Sequence, residues 1–224
     1  MDLVERIAQV KARLHQACEQ AGRDPDSVTL IGVSKTQPVE QVAAAFRLGQ
    51  MHFGESYAQE LRDKARGCEG PVWHYIGRIQ TNKARLIAPV AHRIHALETV
   101  RQAEALVSRA SQPVHALMSV NIGREASKGG VLPEHALEQA KALSRVEGLK
   151  LCGLMALPPL FDDPEQASPF FEEVAQLARD AQRAGLSLRE LSMGMSHDFH
   201  VAIRYGATWI RVGTALFGPR NVRT

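Results

Sequence analysis

A single (β/α)8 TIM barrel with an extra helix at its N-terminus, spanning residues 1–224 as one domain, is the fold this sequence predicts, and three observations predict it. Short β-rich runs and amphipathic stretches alternate along almost the whole chain, and eight strands are counted. Their connections are short, which requires a parallel sheet with right-handed crossovers, and eight such units in about 200 residues sit at the compact end of the barrel range. No GxGxxG follows the first strand, which counts against the rival arrangement, an open doubly wound sheet.

Each element has its own warrant. Leu3, Ile7, Val10, Leu14 and Cys18 recur at helical spacing, with Asp2 and Glu5 placed as a capping box and Gly22 as a stop, so the chain opens on a helix. Thr29–Val33 is a buried strand bounded by Asp24-Pro25-Asp26 and Gln37-Pro38. A helix from Val39 to Leu48 ends at Gly49. The strand His52–Ser56 follows, then a helix from Tyr57 to Arg66 with a Glu60/Lys64 pair at i,i+4. The alternation continues through strands at 72–77, 92–97, 114–121, 149–156, 191–193 and 209–212. Helices are expected near 82–88 and at 99–110, 133–145, 169–184 and 197–205. Pro158–Ser168, rich in Pro and Asp, reads as a long loop inside a βα unit, not as a linker between domains.

Composition narrows the function classes. With 45% hydrophobic and 23% charged residues the chain is an ordinary globular sequence. Its net charge of +3 is spread without a basic block, which leaves nucleic-acid binding unsupported. Cys18, Cys68 and Cys152 are far apart and form no CxxC, the pattern of reduced thiols, and no run approaches the roughly 18 apolar residues of a membrane span. A cytoplasmic protein without membrane attachment is the expectation.

The first strand ends in Ser34-Lys35-Thr36. A lysine there either snorkels to solvent or serves as an amine nucleophile toward a carbonyl. In a barrel all strand C-termini share one face, where the loops after strands seven and eight recurrently bind phosphate. Those loops are Ser192-Met193-Gly194-Met195-Ser196 and Gly213-Thr214, small and hydroxyl-bearing. An amine opposite a phosphate cradle suits a phosphorylated aldehyde. Arg211, two residues before Gly213, shares its face of the strand and points at the remainder of such a ligand, or else makes a plain ion pair.

Several motifs in fixed order then carry a family resemblance. Val33-Ser34-Lys35-Thr36, Phe53-Gly54-Glu55, Trp73-His74-Tyr75-Ile76-Gly77 with Gln80-Thr81-Asn82-Lys83, Ser127-Lys128-Gly129-Gly130, Gly153-Leu154-Met155-Ala156, Ser192–Ser196 and Val212-Gly213-Thr214 resemble the pyridoxal phosphate homeostasis proteins, relatives of the N-terminal barrel of alanine racemases. The resemblance implies pyridoxal 5′-phosphate (PLP) as cofactor, held by Lys35 as a Schiff base, with Ser196, Gly213 and Thr214 on its phosphate and Arg211 at the pyridine nitrogen. An arginine there cannot pass a proton to the ring, which keeps the cofactor a weak electron sink. The family usually has Gly-Glu-Asn-Tyr where this chain has Gly54-Glu55-Ser56-Tyr57, so an amide contact from position 56 is not expected.

The role so implied is intracellular buffering or delivery of PLP without efficient catalysis. The expected partners are PLP and, transiently, PLP-dependent apo-enzymes, and a monomer is expected. The alternatives are a racemase-like PLP enzyme completed by a partner's base and a Schiff-base aldolase without PLP. Racemisation needs two bases on opposite faces of the substrate carbon. The racemases' C-terminal β domain, source of the second base, has no counterpart in the few residues after Thr214, which end at Asn221–Thr224. Lys128, on the loop after strand five, is either a second amine for PLP or a solvated loop lysine. His74 is placed near the cofactor. His92 and His95 are expected on opposite strand faces, and His197 and His200 near a helix start, so no metal site is expected.

Overall fold

In the computed structural model, which describes residues 1–219, eight parallel strands close into a barrel in sequential order. They are β1 Thr29–Val33, β2 His52–Glu55, β3 Val72–Tyr75, β4 Arg93–Leu97, β5 Val114–Val120, β6 Leu149–Ala156, β7 Glu190–Met195 and β8 Trp209–Val212. Closure is made by β8 against β1, with Thr29 opposite Trp209 and Ile31 opposite Arg211. The expected barrel is therefore the observed one. The short tail at Asn221–Thr224 lies outside the described residues.

The helices are α1 Leu3–Gln20, α2 Val39–Arg47, α3 Ala58–Gly67, α4 Ala84–Ile87, α5 Val100–Val107, α6 Ala136–Ser144, α7 Ser168–Arg183, α8 Phe199–Arg204 and α9 Thr214–Phe217. The Asp2 carboxylate accepts from Glu5 N while the Glu5 side chain accepts from Asp2 N, the reciprocal cap expected of α1. α1 buries Ile7, Val10, Leu14, Ala17 and Cys18 and packs on α8 and α9. It thus backs the last two units of the barrel.

Three elements differ from expectation for local reasons. The helix near 82–88 is a 3-10 turn, Thr81–Lys83, running into the single turn of α4. α8 starts two residues late because Met195–Asp198 forms a turn, in which Asp198 Oδ1 accepts from Met195 N (2.6 Å) and Asp198 N donates to Met195 O (3.2 Å). α9 was not expected; four residues leave no periodicity to read.

Most of the apolar core lies between the strands and the helices, while a small cluster of Ala96, Leu117 and Met155 with Trp209 fills part of the barrel lumen. Close approach of backbones matters at Gly153, where a Cβ would lie 1.8 Å from Glu190 O on β7. Polar side chains share the lumen with that cluster. Arg93 pairs with Glu190 (Nη2 to Oε1, 2.7 Å), and Trp209 Nε1 donates to Glu190 Oε2 (3.0 Å). Among the described residues no helix is long and apolar enough to cross a membrane.

Candidate functional site

Lys35 is held by its neighbours. Ser34 and Thr36, on either side of it, are anchored to a buried ionic network behind the rim. Ser34 Oγ donates to Glu55 Oε1 (2.7 Å), Lys64 Nζ donates to Glu55 Oε1 (2.7 Å) and Ser34 O (2.7 Å), and Glu60 Oε2 accepts from both Lys64 Nζ (2.8 Å) and Thr36 N (2.9 Å). The expected Glu60/Lys64 pair is thus one arm of a larger clamp. Thr36 is in the left-handed region, with φ of 65°, which turns the chain sharply past the lysine. Lys35 itself is half-buried.

The other end of the chain packs beside the turn that carries Lys35. A Cβ built on Gly213 would lie 3.5 Å from Val33 Cβ and Val33 O, so Gly213 packs directly against the strand that ends in Lys35. Thr214 Oγ1 lies 3.4 Å from Ser196 Oγ, and Ala215 N donates to the same Ser196 oxygen (3.4 Å). Two hydroxyls and a backbone N–H therefore converge on one rim, beside the amine-bearing strand. Such donors suit a phosphate monoester. The Asp198 turn presents Ser196 from β7, and α1 braces both loops from behind: Arg6 Nε donates to Leu216 O (3.1 Å) and Arg13 Nη2 to Ser196 O (3.4 Å).

Arg211 lies inside the mouth, below Gly213, and is buried. Its Nη2 donates to Ala156 O (2.9 Å) and its Nη1 to Ser192 Oγ. Burial lowers its pKa to about 10, so it remains a cation at neutral pH. Among the described residues no carboxylate hydrogen-bonds to it, and the charge of Asp198 acts on it from a distance.

Lys128 approaches from the far side. With Ile76, Arg78, Glu98, Ser119 and Asn121 it lines a cavity of about 170 Å³ between the ends of β3 and β6. Its ammonium pairs with Glu125 at 2.6 Å, and its side chain is 39% exposed, the state of a loop lysine that can still swing.

His74 is a correction. It lies within the lumen and not at the rim, fully buried, with both ring nitrogens taken: His52 Nδ1 is 3.0 Å from its Nε2 and His95 Nε2 is 2.9 Å from its Nδ1. Neither ring nitrogen is left for a ligand. The expected opposite facing of His92 and His95 fails as well, because His92 lies in the bend before β4, outside the strand's alternation, while His95 faces the lumen with Arg93. Both then turn toward His74, His92 with ring centroids 6.0 Å apart and His95 by hydrogen bond. Burial holds His74 and His95 well below the ordinary imidazole range. Neighbouring His95, His52 and His92 add to this at His74, and Arg211 and Arg93 at His95. No cluster suited to a metal ion occurs among the described residues. Sequence reasoning passed over His52, the Glu55/Lys64 network and the role of Ser192; the alternation of β2 could have flagged His52 as inward-facing.

The residues on the rim fit PLP: an amine in the turn after β1, a hydroxyl and amide cradle after β7 and β8, and a buried guanidinium on β8. The comparisons point the same way. The family model described as alanine racemase, N-terminal domain, matches residues 6–221. A pyridoxal phosphate homeostasis protein of Aquifex aeolicus is 38% identical, covering 99% of this chain and 100% of its own length. One from Pseudomonas aeruginosa is 40% identical, covering 98% and 96%. Among solved structures, PipY of Synechococcus elongatus with PLP bound is similar with a TM-score of 0.83 and 32% identity, over 97% of this chain and 100% of that one. Alanine racemase of Corynebacterium glutamicum, at 18% identity and a TM-score of 0.70, shares the fold, and this chain covers 63% of it.

Proposed function

The chain belongs to the pyridoxal phosphate homeostasis proteins, and on that footing we propose that it holds PLP as a Schiff base on Lys35 and buffers or delivers the cofactor inside the cell, without efficient catalysis of its own. The observation that supports this reading is the packing of Gly213, beside the Ser196–Thr214 pair, against Val33, two residues before Lys35, at the junction of β1 and β8.

Bound PLP supplies an aldehyde carbon for capture by an amine and a ring that draws electrons. Lys35 provides the amine, and the clamp of Glu55, Lys64 and Glu60 keeps its stretch of backbone aimed into the mouth. Ser196 and Thr214 would hold the phosphate, with Gly213 letting the backbone come close. Arg211 would face the ring nitrogen and, as a cation with no proton to give up, would keep that nitrogen unprotonated. Lys128, across the mouth, is the second amine within the cavity wall and the candidate acceptor during handover to an apo-enzyme.

The fold likeness to alanine racemase favours a second reading, a racemase-like enzyme completed by a partner's base. Racemisation requires a second base on the far face of the substrate carbon. The amine on the far side of this mouth is Lys128, and it is paired with Glu125. The names of the curated relatives, which are those of homeostasis proteins, support the carrier.

The test is a visible spectrum of the purified protein with added PLP, followed by borohydride reduction and peptide mapping. The pyridoxyl label is expected on Lys35 and absent in Lys35→Ala; label on Lys128 alone would overturn the assignment. Turnover of an L- or D-amino acid by the purified chain would favour the enzyme.

A further inference from the structure

Four side chains connect Arg211 with the opposite end of the barrel. Arg211 Nη1 donates to Ser192 Oγ; Ser192 Oγ lies 2.8 Å from His95 Nδ1, His95 Nε2 lies 2.9 Å from His74 Nδ1, and His74 Nε2 lies 3.0 Å from His52 Nδ1. His52 is the first residue of β2, at the lower end of the lumen, and is half-buried, whereas Ser192, His95 and His74 are fully buried.

The direction of every bond in this series follows from the arginine. A guanidinium only donates, so Ser192 Oγ accepts from it. A buried hydroxyl left without an acceptor is costly, so its single proton goes to His95 Nδ1. That makes His95 the Nε2–H tautomer, which donates to His74 Nδ1. His74 is then also Nε2–H and donates to His52 Nδ1, leaving His52 with its proton on Nε2 at the lower end. The reverse polarity would send a proton from His95 into Ser192 and set the hydroxyl loose beside the arginine.

The groups facing this series are His92 and Arg93 at the start of β4, His115 on β5, Glu190 on β7 and Trp209 on β8. Glu190 accepts from Arg93 and from Trp209, so the lumen carboxylate is engaged outside the series. The three imidazoles are therefore neutral links of fixed sense.

We propose that Ser192, its hydroxyl oriented by His95, His74 and His52 in series, is the positioning residue that fixes which N–H groups of Arg211 face the pyridine nitrogen of bound PLP. This rests on the PLP reading above. With Nη1 committed to Ser192 and Nη2 to Ala156 O, the guanidinium plane has one orientation, and its remaining N–H groups are left for the ring. Without Ser192, or with its hydroxyl turned, the plane is held at one point and can swing.

The test has two arms. The first needs no cofactor: nitrogen-15 NMR of the imidazoles in the chain without PLP, assigned by single His→Gln replacements. His52, His74 and His95 are expected as neutral Nε2–H tautomers at neutral pH. In Ser192→Ala, His95 loses its donor and shifts toward the Nδ1–H form. The second arm measures bound PLP. Ser192→Ala and His95→Phe are expected to release it about tenfold faster and to move its visible band, and Ser192→Thr, which keeps the hydroxyl, to restore both. A merely structural role would lower the melting temperature and leave the band where it was.

An Nδ1–H or doubly protonated His95 overturns the proposal, as does a Ser192→Ala protein with the wild-type band and release rate. A wild-type chain that takes up no PLP overturns the PLP reading, and this role with it, even if the tautomers are as stated. Wild-type PLP binding with the wrong tautomers leaves that reading intact and removes only the positioning series.

Discussion

Replacing Lys64 by Met tests the clamp behind the loop that carries Lys35. Lys64 Nζ makes three hydrogen bonds, to Ser34 O, Glu55 Oε1 and Glu60 Oε2, and its side chain is 8% exposed against 0% for Glu55. Methionine keeps most of the stem and removes the charge. Breaking one side of a buried ion pair costs about 3–5 kcal/mol because the other charge is left alone. Two of the three bonds go to carboxylates, which is consistent with the same range. A loss of about 3 kcal/mol lowers the melting temperature of a chain of this size by roughly 6–12 °C.

The pH dependence separates this account from simple loss of packing. Burial already raises the Glu55 pKa above the ordinary carboxylate value, with Lys64 the largest influence pulling it back. Removing Lys64 raises it further. For an acid whose folded pKa lies above its unfolded one, the stabilising contribution is present at low pH and is lost as pH rises through the folded value. The deficit of Lys64→Met, measured by urea unfolding, is therefore expected to be smaller near about pH 5 than near about pH 8. Adding Glu55→Gln should recover stability at the higher pH and flatten the dependence. An equal deficit at both pH values, with the double variant no better than the single, would refute the buried-charge account.

Two further outcomes test the rim and the barrel. Ser196→Ala and Thr214→Val each remove one hydroxyl of the cradle and are expected to weaken PLP binding about tenfold in a spectroscopic titration, with inorganic phosphate competing less well than in wild type. Binding unchanged in both would move the phosphate elsewhere. Gly153→Ala would drive a Cβ to 1.8 Å from Glu190 O and force β6 from β7, at a cost above about 3 kcal/mol. A melting temperature within about 2 °C of wild type would show that the strands close differently.

The alternation of strands and helices was legible because breakers bound each run: Pro25 and Pro38 frame β1, and Gly49 closes the segment after α2. Once eight parallel strands were counted, closure put every strand C-terminus on one face. Lys35, Ser196, Gly213 and Thr214 could then be brought together from positions some 180 residues apart in the chain without any coordinates. The motifs around them also carried the family.

Tertiary structure alone decided what stands behind that face. Glu55 and Lys64 form the clamp because β2 turns Glu55 outward onto α3 at the depth where Lys64 returns. His95 joins His74 because both face the lumen from neighbouring strands, and only the pairing of β3 with β4 brings their rings together. His52, His74, His95 and Ser192 come from four strands, and their meeting depends on strand tilt and stagger, which local sequence does not encode. The residues proposed to hold a ligand could be read from where strands end; those packed behind them could be read only after the barrel had closed.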